Sequence, residues 1–259
     1  MPASKILILG GTAEASKLAS SLEALPVEAI TSLAGRTANP APISGKLRIG
    51  GFGGAEGLTA YLTTEKIDLL IDATHPYATR ISHNAIVASD MANIPLLRLE
   101  RPAWEKESGD NWIEVENEAQ AATLIPAGER VLLALGRQHI KPFADHGDVH
   151  FIIRMIDPPE VSLPHDCEIV LAKPGNYESE KQFLSGRKIG LIVSRNSGGS
   201  ISYAKIEAAR DLALPVLMIA RPPVEAKTVV ATVDKAIEFA RSALRFGARN
   251  MAMRFMIKR

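Results

Sequence analysis

Between Asp72 and Tyr77 the chain sets a carboxylate, a hydroxyl (Thr74), an imidazole (His75) and a phenol directly after the apolar run Leu69-Leu70-Ile71. Imidazole titrates near neutral pH, so His75 suits proton delivery to a reacting carbon, and Tyr77 is the second candidate for that proton. No nucleophile elbow accompanies them, so a hydrolase triad does not fit. Upstream, Ile6-Leu7-Ile8-Leu9 runs into Gly10-Gly11-Thr12-Ala13-Glu14. A strand that ends in glycines and enters a helix offers backbone N–H groups and the positive end of the helix dipole to a pyrophosphate. The spacing is not Gly-x-Gly-x-x-Gly, because Glu14 and Ala15 stand where the later glycine would help the helix approach the sheet.

After the next apolar run comes Gly35-Arg36-Thr37. At this position a dinucleotide-binding domain meets the adenosine ribose, where an acid takes a 2′-hydroxyl and an arginine takes a 2′-phosphate. There is no acid here. Arg36 can fork onto a phosphate and Thr37 can add a hydroxyl, so the pattern favours NADPH over NADH. Loop 73–77 should border the nicotinamide, giving Gly10, Gly11, Thr12, Glu14, Gly35, Arg36, Thr37, Ala73, Thr74 and His75 as the cofactor set. Gly50-Gly51-Phe52-Gly53-Gly54 follows a third strand, with Phe52 placed either to stack on a ligand or to pack.

Cations recur at strand ends: Arg98, Arg101, Arg137, Arg154, Arg195, Lys205, Arg210 and Arg221. A substrate with many carboxylates would use such a set. Asn196-Ser197-Gly198-Gly199 lies between a strand and a helix beginning near Tyr203, again an anion-binding layout. The substrate set is therefore Arg101, Arg137, Arg195, Asn196, Ser197, Gly198, Gly199, Tyr203 and Lys205. His139, His146 and His150 with Asp145 and Asp148 match no strong metal spacing, and a solvated loop explains them without a metal.

Apolar runs of four to six residues alternate with segments of helical period, the mark of parallel sheets buried on both faces. Strands are expected at Ile6-Leu9, Glu28-Leu33, Lys46-Ile49, Leu69-Asp72 and Leu96-Leu99, with helices at Ala13-Leu25, Glu56-Thr63 and Ser82-Met91. A linker rich in Pro, Glu, Lys, Ser and Gly follows at 102–110. The second series has strands at Trp112-Val115, Val131-Leu135, Val149-Arg154, Ile169-Ala172, Ile189-Val193 and Val216-Ile219. Its helices fall at Glu118-Ile125, Ser179-Leu184, Tyr203-Leu212 and Val229-Leu244. The expected fold is α/β, two Rossmann-like lobes with parallel sheets and an active-site cleft between them. Residues 1–101 form the nucleotide domain and 102–244 a second α/β domain. A basic tail follows at 245–259, either continuing the last helix or disordered.

The composition narrows the function further. Thirty Lys plus Arg against 29 Asp plus Glu give a formal charge of +1, so no uniform field draws in nucleic acid or an anionic membrane. The single cysteine, Cys167, excludes an intrachain disulfide and suits a reducing cytoplasm. The N-terminal apolar stretch reads as a strand and not a signal, and no window reaches the length of a membrane span.

Several stretches together resemble the precorrin-6A reductase family of cobalamin biosynthesis: ILILGGTAEA, SLAGR, GGFGG, DATHPYA, RLERPAW, ALGRQ, RMIDPP, NSGG with SYAKIEAAR, and LPVLMIARPP, in order from residue 6 to about 223. The resemblance implies an NADP-dependent oxidoreductase that reduces a double bond of precorrin-6A, or its cobalt complex, to precorrin-6B with hydride from NADPH. The tetrapyrrole rim bears acetates and propionates, which gives the scattered cations a common purpose. Contact with neighbouring pathway enzymes is the one other partner class the family suggests. The chain departs from the family pattern at Lys173-Pro174-Gly175-Asn176-Tyr177 and at Arg195, keeping positive charge in both places. Two other readings use the same residues: a non-catalytic NADP(H)-binding sensor, and a two-domain reductase of another polycarboxylate.

Overall fold

The first series of runs folds as its alternation dictates. In the computed structural model, which describes residues 3–35, 42–159, 162–223 and 225–256, the order begins β1 (Ser4–Leu9), α1 (Ala13–Leu22), β2 (Val27–Leu33), β3 (Lys46–Ile49), α2 (Ala55–Thr64), β4 (Leu69–Asp72), α3 (Thr79–Ala92) and β5 (Leu96–Leu99). Side chains alternate across a strand, so β1 feeds two cores at once. Ile6 and Ile8 pack with Leu18 and Leu22 of α1, while Leu7 and Leu9 pack with Leu58 and Leu62 of α2 and Ala85 of α3. All these side chains are buried, worth roughly 1.5–3 kcal/mol for each large aliphatic group.

From Pro102 the chain builds a second sheet with its own core. The elements are β6 (Trp112–Val115), α4 (Glu118–Thr123), β7 (Arg130–Ala134), β8 (His150–Met155), β9 (Cys167–Leu171), α5 (Tyr177–Gly186), β10 (Leu191–Arg195), α6 (Ala204–Asp211) and β11 (Val216–Ile219). Two short 3-10 turns, Arg137–His139 and Lys141–Phe143, follow β7. All six strands pair in parallel, in the order β6-β11-β10-β7-β8-β9. Trp104, Trp112, Leu132, Ile192, Ile206 and Met218 are among the buried side chains of its main core.

The chain then returns. β12 (Val229–Val230) pairs in parallel with β5, and α7 (Val233–Met256) sets Val233, Ala236 and Ala240 into the core shared by α1 and β1. The first sheet is thus β12-β5-β4-β1-β2-β3, the strand order of a dinucleotide-binding fold with β12 as the sixth strand. This corrects the domain boundary expected from sequence: the compact units are 1–101 with 222–259, and 102–221. The helix expected over Val229–Leu244 begins later, because Val229 and Val230 are drawn into the sheet, and its backbone runs through the basic tail to Met256.

Candidate functional site

At the carboxyl end of the first sheet the strand order reverses between β1 and β4, and the loops leaving these two strands are tied together. The Ala73 N–H donates to Leu9 O at 2.9 Å, and the Thr12 hydroxyl donates to Ala73 O at 2.7 Å. Thr12 also caps α1, its Oγ1 accepting from the Ala15 N–H at 3.1 Å. Gly11 takes φ +112°, a region closed to L side chains, and a Cβ there would meet nothing within 4 Å. Backbone can therefore approach a ligand closely at the helix N-terminus. Glu14, an acid in that first turn, is neutralised by Arg101, with Oε2 to Nη1 at 2.7 Å. Arg101, expected to meet the substrate, is engaged here in the nucleotide unit.

The polar residues after β4 divide into two sets. Asp72, Thr74, Ser82, Arg98 and Glu100 form a network with Asp72 and Arg98 nearly fully buried. Arg98 Nη1 lies 2.6 Å from Asp72 Oδ2, and its Nη2 lies 2.8 Å from Glu100 Oε2. Thr74 commits both its N–H (3.0 Å) and its hydroxyl proton (2.7 Å) to Asp72 Oδ1, and its oxygen accepts from Arg98 at 3.0 Å. Thr74 therefore shapes the loop, and Arg98 is held between two carboxylates. His75 and Tyr77 form the other set: both are half-buried, their rings tilted at 5.7 Å between centroids, and the Tyr77 N–H donates to His75 Nδ1 at 3.4 Å. Beside this loop a cavity of ≈ 400 Å³ is lined by Pro76, Arg80, Ile86 and Pro222 above the Asp72–Arg98 network.

At the next strand ends, Gly35 follows β2, while Arg36 and Thr37 lie outside the described residues. Phe52 packs. Its ring meets Tyr61 edge-on at 5.3 Å and carries the Arg48 guanidinium 3.8 Å from its centroid. Arg48 also donates to the Gly50 and Gly51 carbonyls, so one side chain from an edge strand organises the glycine loop. Sequence reasoning passed over Arg48, since nothing but its place two residues before the glycines marks it.

In the second unit the strand order reverses between β7 and β10; Arg195 is the last residue of β10 and Arg137 opens the 3-10 turn after β7. Arg195 pairs with Glu118 through Nε at 3.1 Å and through Nη2, and His139 Nδ1 reaches the same carboxylate oxygen at 3.2 Å. These donors, with His139 the largest contributor, hold the Glu118 carboxyl at about 2. Glu118 carried no sequence signal beyond its place in a helix. Arg137 donates to Pro158 O at 3.3 Å.

The Asn196-Ser197-Gly198-Gly199 loop is a clamp on the linker. Asn196 accepts from the Trp104 N–H at 2.8 Å and donates to Trp104 O at 2.9 Å, as a paired strand would. Trp104 Nε1 donates to Gly199 O at 2.7 Å, and the Ser197 N–H closes a tight turn onto Arg195 O at 2.7 Å. Gly198, at φ +68°, leaves no room for a side chain: a Cβ would stand 2.0 Å from Pro102 O. A turn at 200–203 leads from this loop into α6, which begins at Ala204, close to the start near Tyr203 that the sequence suggested.

Other expected carboxylate binders are internally engaged. Lys205 is buried, donates to Ser202 O at 2.8 Å and lies 4.7 Å from the Trp104 ring centre. Burial, then Arg154 nearby, pushes its amine down to about 7. The Tyr203 hydroxyl donates to Glu107 at 2.7 Å and accepts from Arg210 at 2.6 Å, and burial raises its phenol above the ordinary value. Arg154 pairs with buried Glu180 at 2.7 Å, and Arg210 with Asp110 at 2.9 Å. The three histidines considered as metal ligands part company: His139 faces Glu118, His146 faces Asp148 at 3.8 Å, and His150 faces Asp166 at 2.7 Å.

Residues 5–241 match the model of the family described as Precorrin-6x reductase CbiJ/CobK. The chain belongs to that family. A precorrin-6A reductase of Rhodococcus erythropolis is 45% identical over 89% of this chain and 93% of its own length, and one of Rhodobacter capsulatus is 42% identical over the same shares. A cobalt-precorrin-6A reductase of Priestia megaterium is 28% identical over 90% of this chain and 96% of its own. The solved structure of CobK precorrin-6A reductase superposes with a TM-score of 0.88 at 40% identity, covering 93% of this chain and 97% of that one. CbiJ/CobK membership accounts for two parallel six-stranded sheets in one chain.

Proposed function

We propose that this chain reduces a double bond of the precorrin-6A macrocycle with hydride from NADPH, in the biosynthesis of cobalamin. The carrying observation is the pair of loops after β1 and β4, joined through Thr12 and Ala73 at the reversal of strand order. Open parallel sheets take dinucleotides at this place. The residues fit the group: Gly11 keeps its surroundings open, the first turn of α1 offers its N–H groups to a pyrophosphate, and Arg101 cancels the charge of Glu14. Gly10, Gly35 and Ala73 would border the cofactor, and Arg36 with Thr37 would take the 2′-phosphate. NADPH supplies the hydride when bound.

The remaining work falls to the protein. Reduction adds a hydride to one carbon and a proton to its neighbour, so a proton source must lie near the second carbon. His75 and Tyr77, both half-buried on a loop pinned by the Asp72–Arg98 network, are the side chains proposed for that role. The second unit would take the tetrapyrrole carboxylates, with Arg137 and Arg195 at its strand ends. No helix among the described residues is long and apolar enough to cross a membrane. The higher identity to relatives named for precorrin-6A, 42–45%, than to those named for its cobalt complex, 27–28%, favours the metal-free substrate. Anaerobic incubation with NADPH and either precorrin-6A or its cobalt complex tests this. Faster visible-spectrum turnover of the metal-free ring is expected, and no turnover of either would refute the assignment.

A further inference from the structure

The second sheet has a reversal point of its own, and three ionisable side chains from three different elements converge near it. Glu118 enters from the first turn of α4, His139 from the 3-10 turn after β7, and Arg195 from the last position of β10. One oxygen, Glu118 Oε1, receives Arg195 Nε at 3.1 Å and His139 Nδ1 at 3.2 Å, together with Arg195 Nη2. The arrangement is built from the backbone up. Asn117 caps α4 by accepting from the Gln120 N–H at 2.9 Å, and Gln120 returns the favour by accepting from the Glu116 N–H at 2.7 Å, which fixes where Glu118 begins.

We propose that Glu118 is a positioning residue for substrate recognition, holding Arg195 and His139 side by side at the strand-order reversal of the second sheet, and that His139 is a further substrate-contacting residue. The inference rests on the reading of the second unit as the tetrapyrrole-binding one. An exposed ion pair would be a poor basis for it, since such pairs contribute little and hold no fixed geometry. Here the side chains of Arg195 and Glu118 are 12% and 19% exposed, and the imidazole is the most open of the three at 34%.

The chemistry follows from the contact. With Nδ1–H directed to the carboxylate, the imidazole turns its Nε2 away from Glu118, and in the protonated ring Nε2–H is a charged donor. Glu118 holds the guanidinium and the imidazole on one carboxylate oxygen and sets the angle at which both are presented.

Steady-state kinetics of full-length Glu118→Gln, His139→Gln and the double variant, with precorrin-6A varied at saturating NADPH, test the proposal. NADPH binding is followed in parallel by fluorescence. Each single change should raise the tetrapyrrole KM about tenfold with kcat and NADPH affinity unchanged, and the double should be no worse than either single, because the pair acts as a unit. Independent, multiplying effects would overturn the coupling. An unchanged KM in Glu118→Gln, with Arg195→Met still raising it, would overturn the positioning role and leave the second unit as the tetrapyrrole site. Weakened NADPH binding in place of a KM effect would overturn both readings.

Discussion

Arg98 stands between two carboxylates with almost no access to water, so its charge is a structural necessity for Asp72 and Glu100. Arg98→Met should destabilise the protein by about 3–5 kcal/mol, read as a fall in the urea midpoint, because two buried carboxylates lose their countercharge. Lys205 behaves in the opposite sense. Its folded amine sits at about 7, below the unfolded 10.5, so between these values the unfolded chain binds a proton that the fold does not. Stability should therefore rise with pH through that window, by up to about 1.4 kcal/mol per pH unit, and Lys205→Met should flatten the rise in unfolding curves taken at successive pH values. Arg36→Ala should weaken NADPH binding at least about tenfold while sparing NADH, and equal loss for both would remove the 2′-phosphate assignment. Residue types were legible in the sequence here, and partners were not. An arginine at a strand end looks the same whether it meets a ligand, as proposed for Arg137, or an internal acid, as Arg98 and Arg154 do, since the acid arrives from a distant element.

Elements were more legible, because the apolar runs that make two-sided strands are local. Each strand read in the second series lies at or within about two residues of an observed one, the helix after the Gly10-Gly11 turn begins where expected, and the loop after β4 lies beside it. β12 escaped because two residues carry no periodicity, and only pairing with β5 makes them a strand. The Asn196–Gly199 loop shows how one motif admits two meanings: Gly198, which suggests an anion site, is here required by closeness to the linker. Gly198→Ala puts a methyl 2.0 Å from Pro102 O and 2.2 Å from Arg221 Nη2 at a positive φ. It should cost about 3 kcal/mol or more, seen as an earlier denaturant transition in tryptophan fluorescence.

At the scale of the molecule, the second unit is an insertion between β5 and β12 of the first. A fragment of residues 1–101 would keep five strands and lack Val233, Ala236 and Ala240, which are buried against α1 and β1. Such a fragment should show no cooperative thermal transition by circular dichroism, whereas the intact chain should; adding 222–259 as a separate peptide should restore some order. Sequence reading ended the nucleotide domain at residue 101 because nothing local announces that a chain will come back. The return also sets an order of events on the ribosome. Residues 102–221 emerge as an unbroken stretch and can close before synthesis ends, while the earlier half must wait for its last strand and helix. The portion translated first is thus the last to be completed, and over that interval β5 is an open sheet edge, without the strand that covers it in the finished fold.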